Sequence, residues 1–178
     1  MTSLTLPLAS PPRAKARDLS PALRALVLVA GGSLSAMAAL ALARAALGLA
    51  PAAPAVREMA VALHLATVLP ALPLGLYLLL ARKGGPRHRM LGKVWVVLML
   101  AAALSALGIR HLNHGQFSAI HLFVPLTVIG LWRAVATARS GRIATHRTTM
   151  IALYLGGLIG AGAFAFAPAR IMGLWLFG

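Results

Sequence analysis

The chain has 178 residues, of which 60% are hydrophobic and 11% are charged, and its formal net charge is +15. A soluble domain carries about 25% charged residues, so this composition excludes an ordinary soluble domain. The apolar residues fall in runs of roughly 20, the length that crosses a ~30 Å hydrocarbon core, and they predict an integral protein of the lipid bilayer.

The excess of Lys and Arg does not predict a nucleic-acid partner, because these residues lie between the apolar runs, as they do in the loops of membrane proteins. Asp18 and Glu58 are the only acidic residues, which leaves no carboxylate pair for acid–base chemistry and no carboxylate-rich ion path. Cysteine is absent, which excludes disulfides, thiolate metal sites, iron–sulfur clusters and covalent haem attachment through a CxxCH motif.

Residues 1–21 are rich in Pro, Ser and basic residues, without periodicity, and predict a mobile basic N-terminal tail. A signal peptide is the competing interpretation. The apolar run that follows is too long for the core of a signal peptide, and Arg44 interrupts it. We therefore expect a retained first transmembrane helix at about 23–49, whose small residues suit close helix contact.

Four further apolar runs predict transmembrane helices at about 57–81, 86–109, 117–137 and 145–166. Pro70 and Pro73 predict a kink in the second helix. The tail 168–178 is too short to span, and we expect it in the membrane interface with Trp175 as an anchor. The predicted fold is all-α and polytopic, with five transmembrane helices in a single domain at 22–178.

The basic residues are distributed unevenly between the two sides that five spans create. Thirteen Lys and Arg residues fall on the side of the N-terminus and of the 82–93 and 139–147 loops, against four on the other side. The positive-inside rule then predicts a cytoplasmic N-terminus and an external C-terminus. Tyr77, Trp95 and Trp132 are expected near the inner interface, as an aromatic belt.

Residues 64–89 have a second copy at 121–147. Both copies open with His-Leu, and in both an Arg lies 18 positions and a Gly 20 positions after that first His. Both close with His-Arg, whose His lies 24 positions after the first His in one copy and 25 in the other. Each copy holds two helices of the same topology, so an axis along the membrane normal relates them. This symmetry predicts a four-helix core of helices 2 to 5, with helix 1 at the periphery.

The same axis places His64 opposite His121 near the outer face and His88 opposite His146 near the inner face. Two imidazoles from different helices, facing an apolar slot, are the ligand set of a six-coordinate b-type haem, so all four histidines are predicted metal and cofactor ligands. Basic groups at the inner face are candidates for binding the haem propionates: Arg82, Arg89, Arg139 and Arg147. Glycines of the core helices are candidates for the space at the porphyrin edge: Gly75, Gly130, Gly156, Gly157 and Gly160.

Simpler interpretations exist for each of these groups. An intramembrane His can serve only as a hydrogen-bond partner of a neighbouring helix. The His-Arg pairs at 88–89 and 146–147 suit a lipid phosphate equally well. Glycines commonly serve helix packing, and single arginines commonly set topology. His111 and His114 fall in a short outer loop, where we expect them solvated or serving as proton or metal groups.

The motif set HL at 64–65, HRMLGK at 88–93, HL at 121–122 and HRTTM at 146–150 resembles an uncharacterised bacterial family of predicted membrane proteins, known as a domain of unknown function. The resemblance covers about 57–166 and implies a protein of the bacterial inner (cytoplasmic) membrane without implying an activity. The architecture is similar to the cytochrome b561 class, in which a four-helix core holds two b haems near opposite faces. That resemblance implies transmembrane electron transfer, with His64 paired with His121 and His88 with His146.

Three hypotheses of function follow. The first is a haem b electron-transfer protein that exchanges electrons with quinone or with a subunit of a respiratory or photosynthetic complex; as an enzyme it would be a membrane oxidoreductase. The second is a non-enzymatic accessory or assembly subunit of a larger membrane complex. The third is a proton-coupled transporter in which the outer His pair titrates near neutral pH.

Overall fold

The computed structural model describes residues 19–110, 116–168 and 170–178, and over these residues the chain is helical and has no strand. Residues 1–18 of the predicted tail, and His111 and His114, lie outside the described residues. Leu19 is buried in the core, and the Ser20 hydroxyl caps the first helix by accepting a hydrogen bond from the Leu23 amide. Residues 19–21 therefore belong to the folded domain and not to the tail.

The described residues form six helices. They are α1 (Pro21–Ala46), α2 (Met59–Leu80), α3 (Pro86–Ala106), α4 (Ala119–Arg139), α5 (Ile143–Phe164) and α6 (Ile171–Phe177). The first turn of α4, Ala119–Leu122, is a 3₁₀ helix, and the middle of α5, Leu153–Gly160, is a π-helix. Helices α1 to α5 are long and apolar enough to cross a membrane, which confirms the five predicted spans, each with its ends within three residues of the prediction.

Helices α2 to α5 form a closed ring. Within it α2 packs on α3, α3 on α4, α4 on α5, and the π-helical part of α5 packs on α2. Helices α2 and α4 are therefore diagonal to each other, as are α3 and α5. Helix α1 lies outside the ring against α2 and α5. The predicted four-helix core with a peripheral first helix is confirmed.

Helix α1 contacts the ring through one narrow stripe. Its buried residues recur at spacings of three and four, which places them on one face of the helix: Val27, Gly31, Leu34, Ala38 and Ala41. The opposite face exposes large apolar side chains such as Leu28 and Val29, as a lipid-facing surface does.

The C-terminal helix α6 packs on α1 and is tied to it by one side chain. The Arg44 guanidinium donates hydrogen bonds to the carbonyl oxygens of Trp175 (2.9 Å), Gly178 (2.6 Å) and Leu49 (3.0 Å). Trp175 is only 8% exposed and belongs to the hydrophobic core. The expectation that Trp175 anchors the tail in the interface is wrong, because its indole packs inside the protein.

The glycines that the two sequence copies share close the turns of the two helical hairpins. Gly84 follows α2 with a φ of 86°, and Gly141 follows α4 with a φ of 73°. Residues with a Cβ rarely adopt this left-handed conformation, so the turns select glycine. The repeat in the sequence is thus a repeat of hairpin geometry.

The short connections give the ring two distinct ends. The basic end holds the turns at 81–85 and 140–142, and the distal end holds the connections at 47–58, 107–118 and 165–170. In the described part of the chain, ten Lys and Arg residues lie at or near the basic end and four at the distal end: Arg44, Arg57, Arg110 and Arg170.

Two large aromatic side chains fill the ring between its ends. Trp95 is 0% exposed and donates from Nε1 to the Ala71 carbonyl at 3.0 Å; Tyr154 is 1% exposed and its hydroxyl donates to the Leu72 carbonyl at 3.1 Å. Both rings pack on Gly75, where an added Cβ would lie 2.6 to 2.7 Å from them. The expected place of Trp95 in an interfacial belt is therefore wrong, whereas Tyr77 and Trp132 are exposed on the outside of the bundle.

Candidate cofactor site

An apolar cavity of about 480 Å³ lies toward the distal end of the bundle, lined by residues of all four ring helices, of α1 and of α6. It begins among the connections of the distal end, near Ala53 and Ser118, and extends inward to Leu72, Met99 and Leu158. From the level of His64 to that of Leu72 the cavity follows α2 for about 12 Å, at 1.5 Å per residue. Its volume lies in the range of roughly 300–1,000 Å³ that small-molecule and cofactor sites occupy, and its lining is mostly apolar with a few polar groups, as in such sites.

His64 and His121 both line this cavity. His64 lies in the second turn of α2, and His121 lies in the 3₁₀ turn that opens α4. These are diagonal helices of the ring, and both side chains reach the same cavity. The sequence-predicted outer pair is therefore brought together in one apolar space.

The ring of His64 is oriented by a backbone carbonyl of α3. Its Nδ1 lies 2.9 Å from the Ala102 oxygen, with the Ser105 hydroxyl at 3.4 Å. A carbonyl oxygen can only accept, so Nδ1 carries the hydrogen and Nε2 keeps its lone pair. This second hydrogen bond is the arrangement that orients a histidine for binding a metal through Nε2.

The ring of His121 is oriented by Ser118, three residues earlier. The Ser118 amide donates to His121 Nδ1 at 3.0 Å, while the Ser118 side chain accepts from the His121 amide, which together form a reciprocal cap on the 3₁₀ turn. The Ser118 carbonyl also lies 3.2 Å from Nδ1. Nδ1 therefore has both a donor and an acceptor at hand, and the ring can hold either neutral tautomer.

The other nitrogen of His121, Nε2, is buried and has no hydrogen-bond partner among the described residues. A buried polar atom without a partner costs about 1–3 kcal/mol, so native proteins seldom keep one without a reason. Phe117 supports the ring edge to face, with 5.0 Å between the ring centroids. The structure thus holds an imidazole firmly while leaving its Nε2 unsatisfied.

The second predicted pair lies at the basic end. His146 Nδ1 donates to the Ala134 carbonyl of α4 at 2.9 Å, which leaves a lone pair on Nε2 as in His64. His88 lies in the first turn of α3, with a buried Nδ1 that has no partner among the described residues. His88 and His146 thus both lie at the basic end of the ring, in the first turns of α3 and α5.

This second pair has no shared apolar slot comparable with the cavity around His64. His88 lines a smaller cavity of about 240 Å³ together with Tyr77, Arg82 and Arg87, and His146 is not part of that lining. Arg89 is exposed, and its Nε donates to the Gly84 carbonyl at 3.2 Å, which supports the hairpin turn. Arg147 is half-buried at the start of α5.

The five glycines predicted to make room for a porphyrin divide into two groups. Gly75 packs under Tyr154 and Trp95, and Gly130 packs under Leu153, so both serve helix contact. Gly156 faces open space, and a Cβ at Gly160 would meet only the Leu155 carbonyl, at 3.5 Å. Only Gly157 of the five lines the cavity, where an added Cβ would lie 3.6 Å from Thr127 Oγ1. For Gly75 and Gly130 the simpler interpretation as packing residues is confirmed.

Sequence reasoning missed three features of this site. The π-helix of α5 contributes Gly157 and Leu158 to the cavity, and π-helical turns are frequent at functional sites; the adjacent glycines were the available signal. The Ser118 cap was visible as a Ser three residues before a His. No sequence signal pointed to Arg110 and Arg170, which also line the cavity.

Within 19–110, 116–168 and 170–178, there is no group of three or more His, Asp, Glu or Cys side chains that could hold a metal. A structural zinc site, which takes four protein ligands, therefore has no basis in this part of the chain. The chemistry offered by the cavity is that of two imidazoles from different helices that line one apolar space.

Comparison with known proteins gives one match. Residues 61–176 match the family described as predicted membrane protein (DUF2306). Neither a curated protein nor a solved structure matches the chain, so the likeness to the cytochrome b561 class stays a prediction. The matched region covers both copies of the repeat and all four of the paired histidines. The chain therefore belongs to this family of predicted membrane proteins, whose function is unknown.

Proposed function

We propose that this protein is a membrane-embedded electron-transfer protein that binds haem b through His64 and His121. The observation that carries the proposal is the buried Nε2 of His121, which has no hydrogen-bond partner among the described residues, in a ring that lines the same apolar cavity as His64 on the diagonal helix. A six-coordinate b haem needs two such nitrogens from different helices and an apolar space between them.

The hydrogen-bond partners of the two rings fit this role. His64 already holds the tautomer with its lone pair on Nε2, because Nδ1 donates to the Ala102 carbonyl. His121 reaches the same tautomer when its Nδ1 donates to the Ser118 carbonyl, 3.2 Å away, in place of accepting from the Ser118 amide at 3.0 Å. Both rings would then have their Nδ1–H bound by a backbone carbonyl, which fixes the orientation of a metal-binding histidine.

Bound haem would supply a one-electron couple between ferrous and ferric iron. The chain's own residues hold and shield that group. Leu72, Met99 and Leu158 keep the inner part of the cavity apolar, and Trp95 and Tyr154 fill the ring beyond it. An apolar, water-poor surrounding is one of the means by which a protein sets the potential of a haem.

A second haem at the basic end is part of the same proposal. His88 and His146 are its candidate ligands, supported by their common position at the basic end and by the Nδ1 hydrogen bond of His146, which leaves the Nε2 lone pair for a metal. Arg89 and Arg147 follow these histidines in the chain and are the candidate partners of its propionates. Two haems near opposite ends of the ring would form a path for electrons along the bundle axis.

The proposed setting is the bacterial inner membrane, with the N-terminus in the cytoplasm and quinone or a redox subunit as the exchange partner. The excess of basic residues at one end of the ring supports the orientation. Fusions of reporter enzymes to the two termini test it. Reporter activity on the cytoplasmic side for the C-terminus and on the outer side for the N-terminus would overturn it.

A reduced-minus-oxidised difference spectrum tests the haem itself. Protein expressed with haem supplied and purified in detergent should show a b-type α-band, and a haem-to-protein ratio of two would support both sites. Absence of the band would refute the proposal. His64→Ala and His121→Ala should each remove the outer haem, while Thr127→Val, an isosteric change in the same cavity lining, should leave it unchanged.

Added imidazole separates loss of a ligand from loss of the fold. In the His64→Ala protein, free imidazole can enter the space left by the ring and restore the spectrum. A variant that stays folded, binds haem with unchanged spectrum and ignores imidazole would exclude His64 as a ligand.

A second candidate function follows from the other tautomer of His121. With Nδ1 accepting from the Ser118 amide, Nε2 carries a hydrogen, so the cavity offers one donor at His121 and one acceptor at His64. That pair matches a quinone or quinol in an apolar pocket. Extraction of the purified protein distinguishes the two: bound quinone without an α-band favours this function.

A further inference from the structure

We infer that Arg110 and Arg170 bind the carboxylates of the ligand in the His64–His121 cavity, so that haem would enter with its propionate edge toward the distal end. This inference rests on the proposed function and names the groups that position the cofactor. It replaces, for this haem, the sequence-based expectation that the propionates pair with arginines of the basic end.

The charge distribution of the cavity is the first support. Among the described residues that line it, only Arg110 and Arg170 carry a formal charge. Both lie in connections of the distal end, Arg110 after α3 and Arg170 before α6. Arg82, Arg89, Arg139 and Arg147 do not line the cavity. The cationic residues that line the cavity therefore lie at its distal end only, and its inner end is apolar.

The Arg110 side chain makes two contacts within the protein. Its Nε donates to the Leu107 carbonyl at 2.9 Å, and its guanidinium carbon lies 4.3 Å from the centroid of the Phe117 ring. Phe117 in turn contacts the ring of His121. A series of contacts thus runs from Arg110 through Phe117 to His121 and connects a guanidinium with a candidate haem ligand.

Within the part of the chain that the structure describes, the Nη atoms of Arg110 and the side chain of Arg170 have no hydrogen-bond partner, and Arg110 donates only from Nε. Glu58, the one acidic residue in that part, does not line the cavity. Two cations at the rim of an apolar space thus have no protein carboxylate in the lining to neutralise them.

The chemistry of the occupant follows from this arrangement. Guanidinium binds carboxylate through two parallel hydrogen bonds, with a geometry that an ammonium cannot match. The cavity therefore suits an amphipathic anion with an apolar body and carboxylates on one edge. Haem has this shape, because its two propionates lie on the same edge of the macrocycle.

The test compares haem with haem dimethyl ester, in which the propionates are blocked and the iron and macrocycle are unchanged. Full-length protein prepared without haem is titrated with each compound in detergent, and the Soret band reports the dissociation constant. We expect the wild-type protein to bind haem about 10- to 100-fold more tightly than the ester, the range of one or two charge-assisted hydrogen bonds. Since this comparison needs no mutation, it does not depend on the folding of a variant.

Variants assign the effect to the two arginines. Arg110→Gln and Arg170→Gln should each weaken haem binding and leave ester binding almost unchanged. Arg57→Gln, an exposed arginine of the same end that does not line the cavity, is the matched control and should bind both compounds as the wild type does. Reconstitution into vesicles with and without anionic lipid identifies competition by lipid headgroups for the same groups.

Three results would overturn the inference in distinguishable ways. Equal affinity for haem and ester, with a bis-His spectrum that His64→Ala abolishes, would refute the role of Arg110 and Arg170 and leave the proposed function standing. A wild-type protein that shows no bis-His spectrum with either compound would refute both. Arginine variants that respond to anionic lipid but bind haem normally would assign these side chains to lipid alone.

Discussion

Gly31 of α1 lies against the hydroxyl of Tyr154, and this contact gives a sharp test of how the helices pack. A Cβ at Gly31 would clash with that hydroxyl and lie 3.2 Å from Leu76 Cδ1. Tyr154 cannot easily move away, because it is 1% exposed and its hydroxyl donates to the Leu72 carbonyl. The neighbouring Gly32 has no such contact within 4 Å, so it provides a matched control in the same helix.

We expect Gly31→Ala to destabilise the fold by about 1–3 kcal/mol through overpacking, with about 1 kcal/mol more if the hydrogen bond of Tyr154 breaks. Gly32→Ala should change the stability by less than ~0.5 kcal/mol. Tyr154→Phe alone should cost about 0.5–1.5 kcal/mol. Because removing the hydroxyl also removes the main clash, the double variant should be more stable than the two single costs predict, by roughly 1–2 kcal/mol.

Equilibrium unfolding in mixed detergent micelles measures all four proteins, and a double-mutant cycle gives the coupling between the two sites. Additive costs in the double variant would show that Gly31 does not meet Tyr154. Equal stabilities of Gly31→Ala and Gly32→Ala would refute the packing of α1 on the ring through this face.

Three further predictions concern other contacts. Gly75→Ala should destabilise the fold by about 1–3 kcal/mol, since the new Cβ would lie 2.6 Å from the Tyr154 ring, whereas Gly92→Ala on open surface should be neutral in the same unfolding assay. Gly141→Ala should cost about 1–2 kcal/mol because of its φ of 73°, and Gly141→Asn should cost less; a neutral alanine would contradict the left-handed turn. Arg44→Met should speed amide exchange in α6 by about 10-fold or more through loss of charge-assisted hydrogen bonds, with exchange in the ring helices as the internal reference.

The repeat in the sequence predicted the ring and the histidine pairs because its elements are local. The shared glycines at 84 and 141 set hairpin turns through their own φ angles, and apolar runs of a fixed length set the spans. Once the two hairpins are placed side by side, His64 and His121 must fall on diagonal helices at one end. That inference needed only helix order and rise.

Other features depend on contacts between residues far apart in the chain, and sequence reasoning misjudged them. The positions of Trp95 and Trp175 in the sequence are typical of interfacial aromatic residues, but both side chains are buried inside the protein. Trp95 packs over Gly75, and Trp175 packs beside α1. An indole at a given depth is equally compatible with both positions until the neighbouring helix is known. The role of a core glycine is likewise not visible in the sequence: Gly75 leaves space for the Tyr154 and Trp95 rings, whereas Gly157 lines the cavity.

The sequence by itself determined the membrane class, the five spans, the two hairpins and the helices on which the four histidines lie, because hydrophobic length, turn glycines and helix order are properties of short segments. The tertiary structure alone decided that His64 and His121 share one cavity and that Arg110 and Arg170 meet it at the distal end. It also decided which imidazole nitrogens are bound and which are free, through Ala102 and Ser118. The physical reason is that a ring nitrogen is oriented by the carbonyl or amide it meets, and that partner is known only when the helices are packed.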